Sequence, residues 1–283
     1  MMQFINNIDN ISISPYNFLR KDDMPMLTSS HKRIERKTAL LHFLQENEAI
    51  PINELARQME VSSSTLRREL RDLANDSLVA ITIGKVSLAK PSNEERPFAL
   101  RGLLNSEEKK RIGRMALELV HNGDTIFIAG GTTTLEFARL LPCQRRLTVI
   151  TNALRVVGLL VDQPGIDLIA LGGAVRPGEQ TLHGHLTDWG VAQFRADKLF
   201  YGIEAISLQH GLTHSQIVEV STDRAFANAA TQTIILADHT KFGKVAPALV
   251  MPLEKVHVIV TDRDLAPDIV ESLSAKGIKV ILA

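Results

Sequence analysis

Val61-Ser62-Ser63-Ser64-Thr65-Leu66-Arg67-Arg68-Glu69-Leu70-Arg71 is the stretch on which the reading of this chain turns. At 3.6 residues per turn, Leu66, Leu70 and Leu73 fall at i, i+4 and i+7 and make one apolar stripe. Ser64, Arg67, Arg68 and Arg71 make a second face, polar and mostly cationic. Ser62 or Ser63 supplies a side-chain oxygen to cap the first turn. The pattern predicts a short helix with a dry face for a core and a cationic face for an anion. Such a face is by itself more often a solvated surface, so the residues around it have to decide.

Just upstream, Ile52, Leu55, Ala56 and Met59 repeat the same spacing and predict another amphipathic helix. Only Glu60-Val61-Ser62 separates the two, which is a helix-turn-helix arrangement. In that unit the second helix enters the major groove of duplex DNA with its N-terminal residues at base edges. Arg67 and Arg68 suit the role, because a planar guanidinium bonds guanine O6 and N7 together or clamps a phosphate. Ser62, Ser63, Ser64 and Thr65 are short enough to allow close approach, and Arg71 continues the cationic face. The expected partner is double-stranded operator DNA.

A further helix is predicted over residues 31–46, with Ile34, Leu40, Leu41 and Leu44 apolar and Lys32, Arg33, Arg36 and Lys37 near its start. After the Arg-bearing helix, two β-prone runs between Leu78 and Leu88 turn about Gly84-Lys85 and predict a hairpin. Three helices and a hairpin make a winged helix-turn-helix over residues 31–90, with Lys85 expected at the wing tip near a phosphate. Residues 1–30 carry no sustained period and are expected to be a disordered extension. Met24 and Met26 lie at its end, and Met26 is an alternative start to Met1.

The whole chain bounds these readings. Its 283 residues suit two domains, and 45% hydrophobic with 23% charged residues is an ordinary globular composition. Lys+Arg and Asp+Glu balance at 32 each, so one small basic module beside a neutral one is expected, not a wholly basic surface. A single cysteine, Cys143, excludes an internal disulfide and a cysteine-built zinc site and fits the reducing cytoplasm. No run approaches the ~18–20 apolar residues of a membrane helix, and no secretion signal is read at the N-terminus.

Residues 91–104, Pro-containing and aperiodic, read as a linker. From residue 105 to 283 the pattern changes. A helix begins near Ser106, with Ile112, Met115, Ala116 and Leu119 on one face. Then apolar runs at Thr125–Ala129, Leu147–Thr151, Asp167–Leu171, Leu199–Ile203, Thr233–Ala237, Val256–Thr261 and Ile278–Leu282 alternate with helical segments. That alternation predicts an α/β domain with a mainly parallel, buried sheet.

Ligands of open α/β sheets bind beyond the carboxyl ends of strands. Gly130-Gly131-Thr132-Thr133-Thr134 follows the first strand and leads into a helix, so glycine backbone, hydroxyls and free N–H groups make a candidate phosphate cradle. It is not a P-loop, because no Gly-Lys-Ser/Thr ends it. Other strand ends are polar or glycine-rich: Thr151-Asn152, Gly172-Gly173, Glu204, and Asp238 to Lys241. Asn152, Gly172, Gly173, Glu204, Glu219 and Lys241 join the loop as candidate effector-binding residues. No cofactor and no metal is expected.

These segments, in this order, resemble the DeoR family of bacterial transcriptional regulators from about His31 to the C-terminus. Thr65-Leu66-Arg67-Arg68-Glu69-Leu70 resembles the family's recognition helix. Gly123 through Thr134, Val149-Ile150-Thr151-Asn152, Leu171-Gly172-Gly173, Ala196-Asp197-Lys198 and Leu236 to Gly243 resemble its sensor motifs. The resemblance implies a sensor of the ribose-5-phosphate isomerase-like type that binds a phosphorylated sugar, forms a homo-oligomer (dimer or tetramer), and relieves repression of a sugar catabolic operon. Three positions depart from the family's pattern. Ala129 stands where Asp is common, Glu204-Ala205 where Asp-Gly is common, and Ile83-Gly84-Lys85-Val86 at the wing's glycine-rich end. The first two bear on which sugar is bound.

Two other classes remain open on the sequence. An isomerase-like enzyme on the same fold would need a general base beside a bound carbonyl; Glu219 and Lys241 could serve there as acid or ligand groups, so that the site binds without turning over. It would have no use for the N-terminal helices. A metal sensor is suggested by His183-Gly184-His185 with His210 and His214, but no cysteine or carboxylate triad stands at ligand spacing.

Overall fold

The computed structural model describes residues 39–41, 43, 44, 47, 49–75, 78–89, 98–141 and 146–283. The N-terminal extension, Met26, Ile34, the four cations after His31, Cys143 and the first half of the linker (91–97) lie outside them.

The N-terminal unit begins with helix α1, described at residues 39–41, 43 and 44. It continues through β1 (Ile50–Pro51), α2 (Ile52–Gln58), α3 (Ser63–Asn75), β2 (Val79–Thr82) and β3 (Lys85–Leu88). Its core is the set that helical spacing selected. Leu40, Leu41 and Leu44 of α1, Ile52, Leu55 and Ala56 of α2, and Leu66, Leu70 and Leu73 of α3 are all buried. Each such leucine taken from water contributes about 1.5–3 kcal/mol. Ser62 caps α3, its Oγ accepting from the Thr65 N–H at 3.2 Å.

The wing differs from expectation at two points. It has three strands in the order β1-β3-β2, because Ile50 and Pro51 pair with Val86 and Lys85. Its turn is Ile83-Gly84, one residue earlier than read, because Thr82 pairs with Lys85. Lys85 is therefore the first residue of the return strand, and Ile83 occupies the tip, fully exposed. Ile83 and Gly84 have φ of 29° and 77°. Left-handed backbone is costly for a β-branched residue, and two-residue hairpins favour Asn-Gly. Ile83→Asn is expected to stabilise the protein by about 1 kcal/mol. A urea midpoint that stays put or falls would show that the turn stores no strain.

The segment read as linker contains a helix, α4 (Phe98–Leu103). The C-terminal unit follows as α5 (Ser106–Leu117), β4 (Thr125–Ile128), α6 (Thr132–Ala138), β5 (Leu147–Thr151), α7 (Leu154–Leu160) and β6 (Ile166–Ala170). A hairpin of β7 (Ala174–Arg176) and β8 (Thr181–His183) comes next, then α8 (His185–Ala192) and β9 (Ala196–Tyr201). The chain ends with β10 (Ala205–Ser207), β11 (Gly211–His214), α9 (Ile217–Ala229), β12 (Ala230–Leu236), β13 (Ala248–Met251), β14 (Val258–Thr261), α10 (Pro267–Ala275) and β15 (Lys279–Leu282).

All seven apolar runs form one parallel sheet, ordered β15-β14-β12-β9-β4-β5-β6. The central strands are apolar on both faces because helices cover both. Ile126 and Ile128 of β4 pack on one side with Ile112 of α5, Phe137 of α6 and Val156 of α7. Phe127 packs on the other with Phe226 of α9, ring centroids 5.0 Å apart and edge-on. Short strands β10, β11 and β13 form a separate antiparallel sheet, which the sequence pattern did not announce.

Sheet order also fixes where a crevice opens. From β4 the chain builds outward through β5 to β6, then returns to place β9 on the opposite side of β4. The connections leaving β4 and β9 therefore diverge, and the gap lies beyond their carboxyl ends.

Candidate functional site

A cleft stands at that gap. Gly130, Gly131, Thr132 and Thr133 line it from the end of β4, and Gly202, Ile203 and Glu204 from the end of β9. Asn152 enters after β5 and Lys241 after β12. Glu219 and Asp223 come from α9, and Glu179, Thr181 and His183 from the β7–β8 hairpin. Arg101 reaches in from α4. Eight of the eleven residues singled out from the sequence thus meet in one place.

The other three do not line it, for packing reasons. Thr134 is buried, and its Oγ1 donates to the Gly131 carbonyl at 3.0 Å, closing the turn. Gly172 gives its carbonyl to Thr187 Oγ1 at 2.7 Å. Gly173 has φ of 151°, and a Cβ there would stand 2.1 Å from Thr187 Oγ1. Gly173 thus lets α8 approach the strand end, whereas a Cβ at Gly172 would meet nothing within 4 Å. Ala129, one of the departures from the family pattern, is buried in the sheet core and does not itself line the cleft.

The Gly130–Thr133 turn shares the cleft with the cations Arg101 and Lys241 and with carboxylates and imidazoles. Glu219 ion-pairs with Arg176 and lies 3.4 Å from both His183 Nε2 and His214 Nε2. Glu204 accepts from the Ser215 N–H and Oγ, each at 2.8 Å. Tyr201 donates its hydroxyl to Asp223 at 2.8 Å. Burial holds the His183 imidazole below its usual range, with Glu219 opposing that shift. Asn152 Oδ1 and His183 Nδ1 are buried and find no hydrogen-bond partner among the described residues.

Two buried charged groups, Lys109 of α5 and Asp238 after β12, lie near enough to influence each other's charge. Lys109 is 3% exposed, and its Nζ donates to the Arg101 carbonyl at 2.5 Å and to that of Leu104. Burial pulls Lys109 down to about 8. Burial pushes the neighbouring Asp238 up, but Lys241, the Thr240 hydroxyl, Lys109 and Asn105 together hold it below its usual value. Nothing in the helical spacing of α5 distinguished Lys109 from a solvated lysine.

The four histidines that suggested a metal are divided. His183 and His214 line the cleft, whereas His185 and His210 are exposed. The residues that sequence reading missed are Arg101, Glu179, Thr181, Tyr201 and Asp223, along with the cleft role of His214. They come from segments far apart in the chain.

The second surface of interest is α3. Arg67, Arg68 and Arg71 are exposed, and no ion pair takes them up among the described residues. Ser62 Oγ lies 3.0 Å from Ser64 Oγ and 2.8 Å from Thr65 Oγ1, so the hydroxyls cluster at the helix start, where Ser63 also lies. Asn53 of α2 is exposed 3.5 Å from Ser63 Oγ and extends that polar edge.

Residues 104–263 match the DeoR C terminal sensor domain, and residues 36–83 match a helix-turn-helix domain. The HTH-type transcriptional regulator GolR of Listeria innocua is 31% identical over 88% of this chain and 98% of its own length. The chain belongs to the DeoR family. It is a DNA-binding transcriptional regulator with a C-terminal sensor domain. Two more family members show the same full-length correspondence. The HTH-type transcriptional repressor GlcR of Bacillus subtilis is 29% identical over 88% of this chain and 95% of the relative. The glycerol-3-phosphate regulon repressor of Escherichia coli is 29% identical over 89% and 99%. These DeoR-type relatives are named as regulators and repressors, not as enzymes. Among solved structures, ribose 5-phosphate isomerase A of Methanocaldococcus jannaschii aligns with 49% of this chain and 55% of its own, at 17% identity and a TM-score of 0.37.

Proposed function

We propose that the chain represses a sugar catabolic operon and that a phosphorylated sugar, bound in the β4–β9 cleft, relieves the repression. The observation that carries this is the set of groups that line the cleft. A glycine–threonine turn near Arg101 and Lys241 suits a phosphate. Carboxylates and imidazoles in the same cleft suit the hydroxyls of a polyol. The name of the Escherichia coli relative, a glycerol-3-phosphate regulon repressor, fits a phosphorylated ligand of this kind.

In this reading residues 31–90 form the DNA-binding unit and 105–283 the sensor. Among the described residues no helix is long and apolar enough to cross a membrane, and we place the regulator in the cytoplasm with its DNA. Two subunits bring their α3 helices to half-sites roughly 34 Å apart. Leu186 and Trp189 of α8 and Ile217 and Val218 of α9 are exposed on helices that pack together, and this apolar patch supports self-association.

Thermal unfolding with a panel of triose, pentose and hexose phosphates tests the assignment. The true effector at about 100 times its Kd stabilises the fold by about 2.7 kcal/mol. The matching unphosphorylated sugar leaves the transition where it was. A panel in which free sugars act and phosphates do not overturns the assignment.

A further inference from the structure

Helix α4 belongs to two cores at once. Leu100, fully buried, and Leu104 just beyond the helix belong to the helix-turn-helix core, the cluster that also holds Leu66 and Leu70 of α3. Phe98, at the start of the same helix, packs into the sensor core. A Cβ at Gly102 would stand 3.9 Å from the methyl of Thr132, so the α4 backbone lies directly against the glycine–threonine turn. Arg101 projects from this helix into the cleft, its guanidinium 5.6 Å from the Phe98 ring centroid and ion-paired to Glu179. Both side chains are largely buried, 16% and 10% exposed.

We propose that Arg101 is an anion ligand of the effector cleft that exchanges partners, leaving Glu179 for the effector's anionic group, and that this exchange moves α4 within the DNA-binding core. The proposal rests on the cleft's reading as a phosphorylated-sugar site. A guanidinium binds carboxylate and phosphate with the same planar fork, and a phosphate offers more charge and a third acceptor oxygen. Glu179 sits on the turn of the β7–β8 hairpin and Arg101 on α4, so their pair spans two elements that the sheet does not join. Lys109 grips the Arg101 and Leu104 carbonyls, which makes the short helix one rigid piece. A pull on Arg101 is therefore carried to Leu100 and Leu104, and close-packed cores pass such shifts on instead of absorbing them. The effector acts on DNA binding to the extent that it favours the exchanged arrangement.

The experiment uses the full chain and its Glu179→Gln and Arg101→Gln variants. Inorganic phosphate and the sugar phosphate panel are titrated by calorimetry, and amide hydrogen exchange is followed across residues 98–104 with and without the probe. Glu179→Gln removes the competing carboxylate, so it is expected to bind the phosphate probe about tenfold more tightly than wild type. Arg101→Gln is expected to bind about tenfold more weakly. Exchange in α4 is expected to change on binding in wild type and not in Arg101→Gln. Wild-type binding that Glu179→Gln fails to strengthen, with α4 exchange unmoved by the probe, overturns the partner exchange and leaves the sensor assignment standing. Wild type that binds no phosphate probe overturns both. If Arg101→Gln fails to fold, the Glu179→Gln result and the wild-type exchange data decide alone.

Discussion

Arg67→Ala lowers specific operator affinity by about 1–3 kcal/mol, a loss of roughly five- to 150-fold, if its fork reads a base edge. The physical basis is that Arg67 is exposed on α3 with no ion pair to break among the described residues, so truncation costs binding and spares the fold. Leu66 and Leu70, which hold the helix, point the other way and are fully buried. A base contact and a phosphate contact are separable. Loss of a base contact relaxes preference at one operator position, whereas loss of a phosphate contact weakens all sequences alike and lowers the salt dependence. Competition binding of operator and scrambled duplex at two salt concentrations makes the distinction for Arg67→Ala and Arg68→Ala. Unchanged affinity in both variants would remove α3 from the interface.

Thr133→Val abolishes the response to effector while leaving operator affinity in its absence at the wild-type level. Thr133 is 6% exposed and lines the cleft beside Gly130 and Gly131. Valine keeps the shape and deletes the hydroxyl, so the loss is one hydrogen bond to a charged group, about 1.5–3 kcal/mol, or roughly ten- to 150-fold in effector affinity. The α3 surface belongs to the other unit and is untouched. Operator release at the wild-type effector concentration would take Thr133 out of the site. Its neighbour Thr134 serves as the control: it is fully buried and occupied with the Gly131 carbonyl, so Thr134→Val acts on the turn's stability instead.

The wing shows why local patterns misplace single residues. Gly84 announced a turn, but only the pairing of Thr82 with Lys85 shows that the two-residue loop is Ile83-Gly84. Shifting the turn by one residue exchanges which side chains stand at the tip and which enter the ladder. The segment 91–104 went unrecognised for a related reason. Six helical residues with alternating allegiance, Phe98 to one core and Leu100 to another, present no single apolar stripe for a periodicity to detect.

Periodicity sufficed wherever an element buries one continuous face. The leucines of α1, α2 and α3 and the seven apolar strands were legible because spacing along the chain is itself what sets which face turns inward. The glycine–threonine turn was legible too, being a strand end followed directly by a helix. What the tertiary structure alone decided is which distant side chains share the space above that turn. Arg101, Glu179, His183, His214 and Asp223 are brought together by strand order, by the β4–β9 divergence and by the hairpin folded over it. Those arrangements come from long-range packing, and no local repeat in the amino acids encodes them.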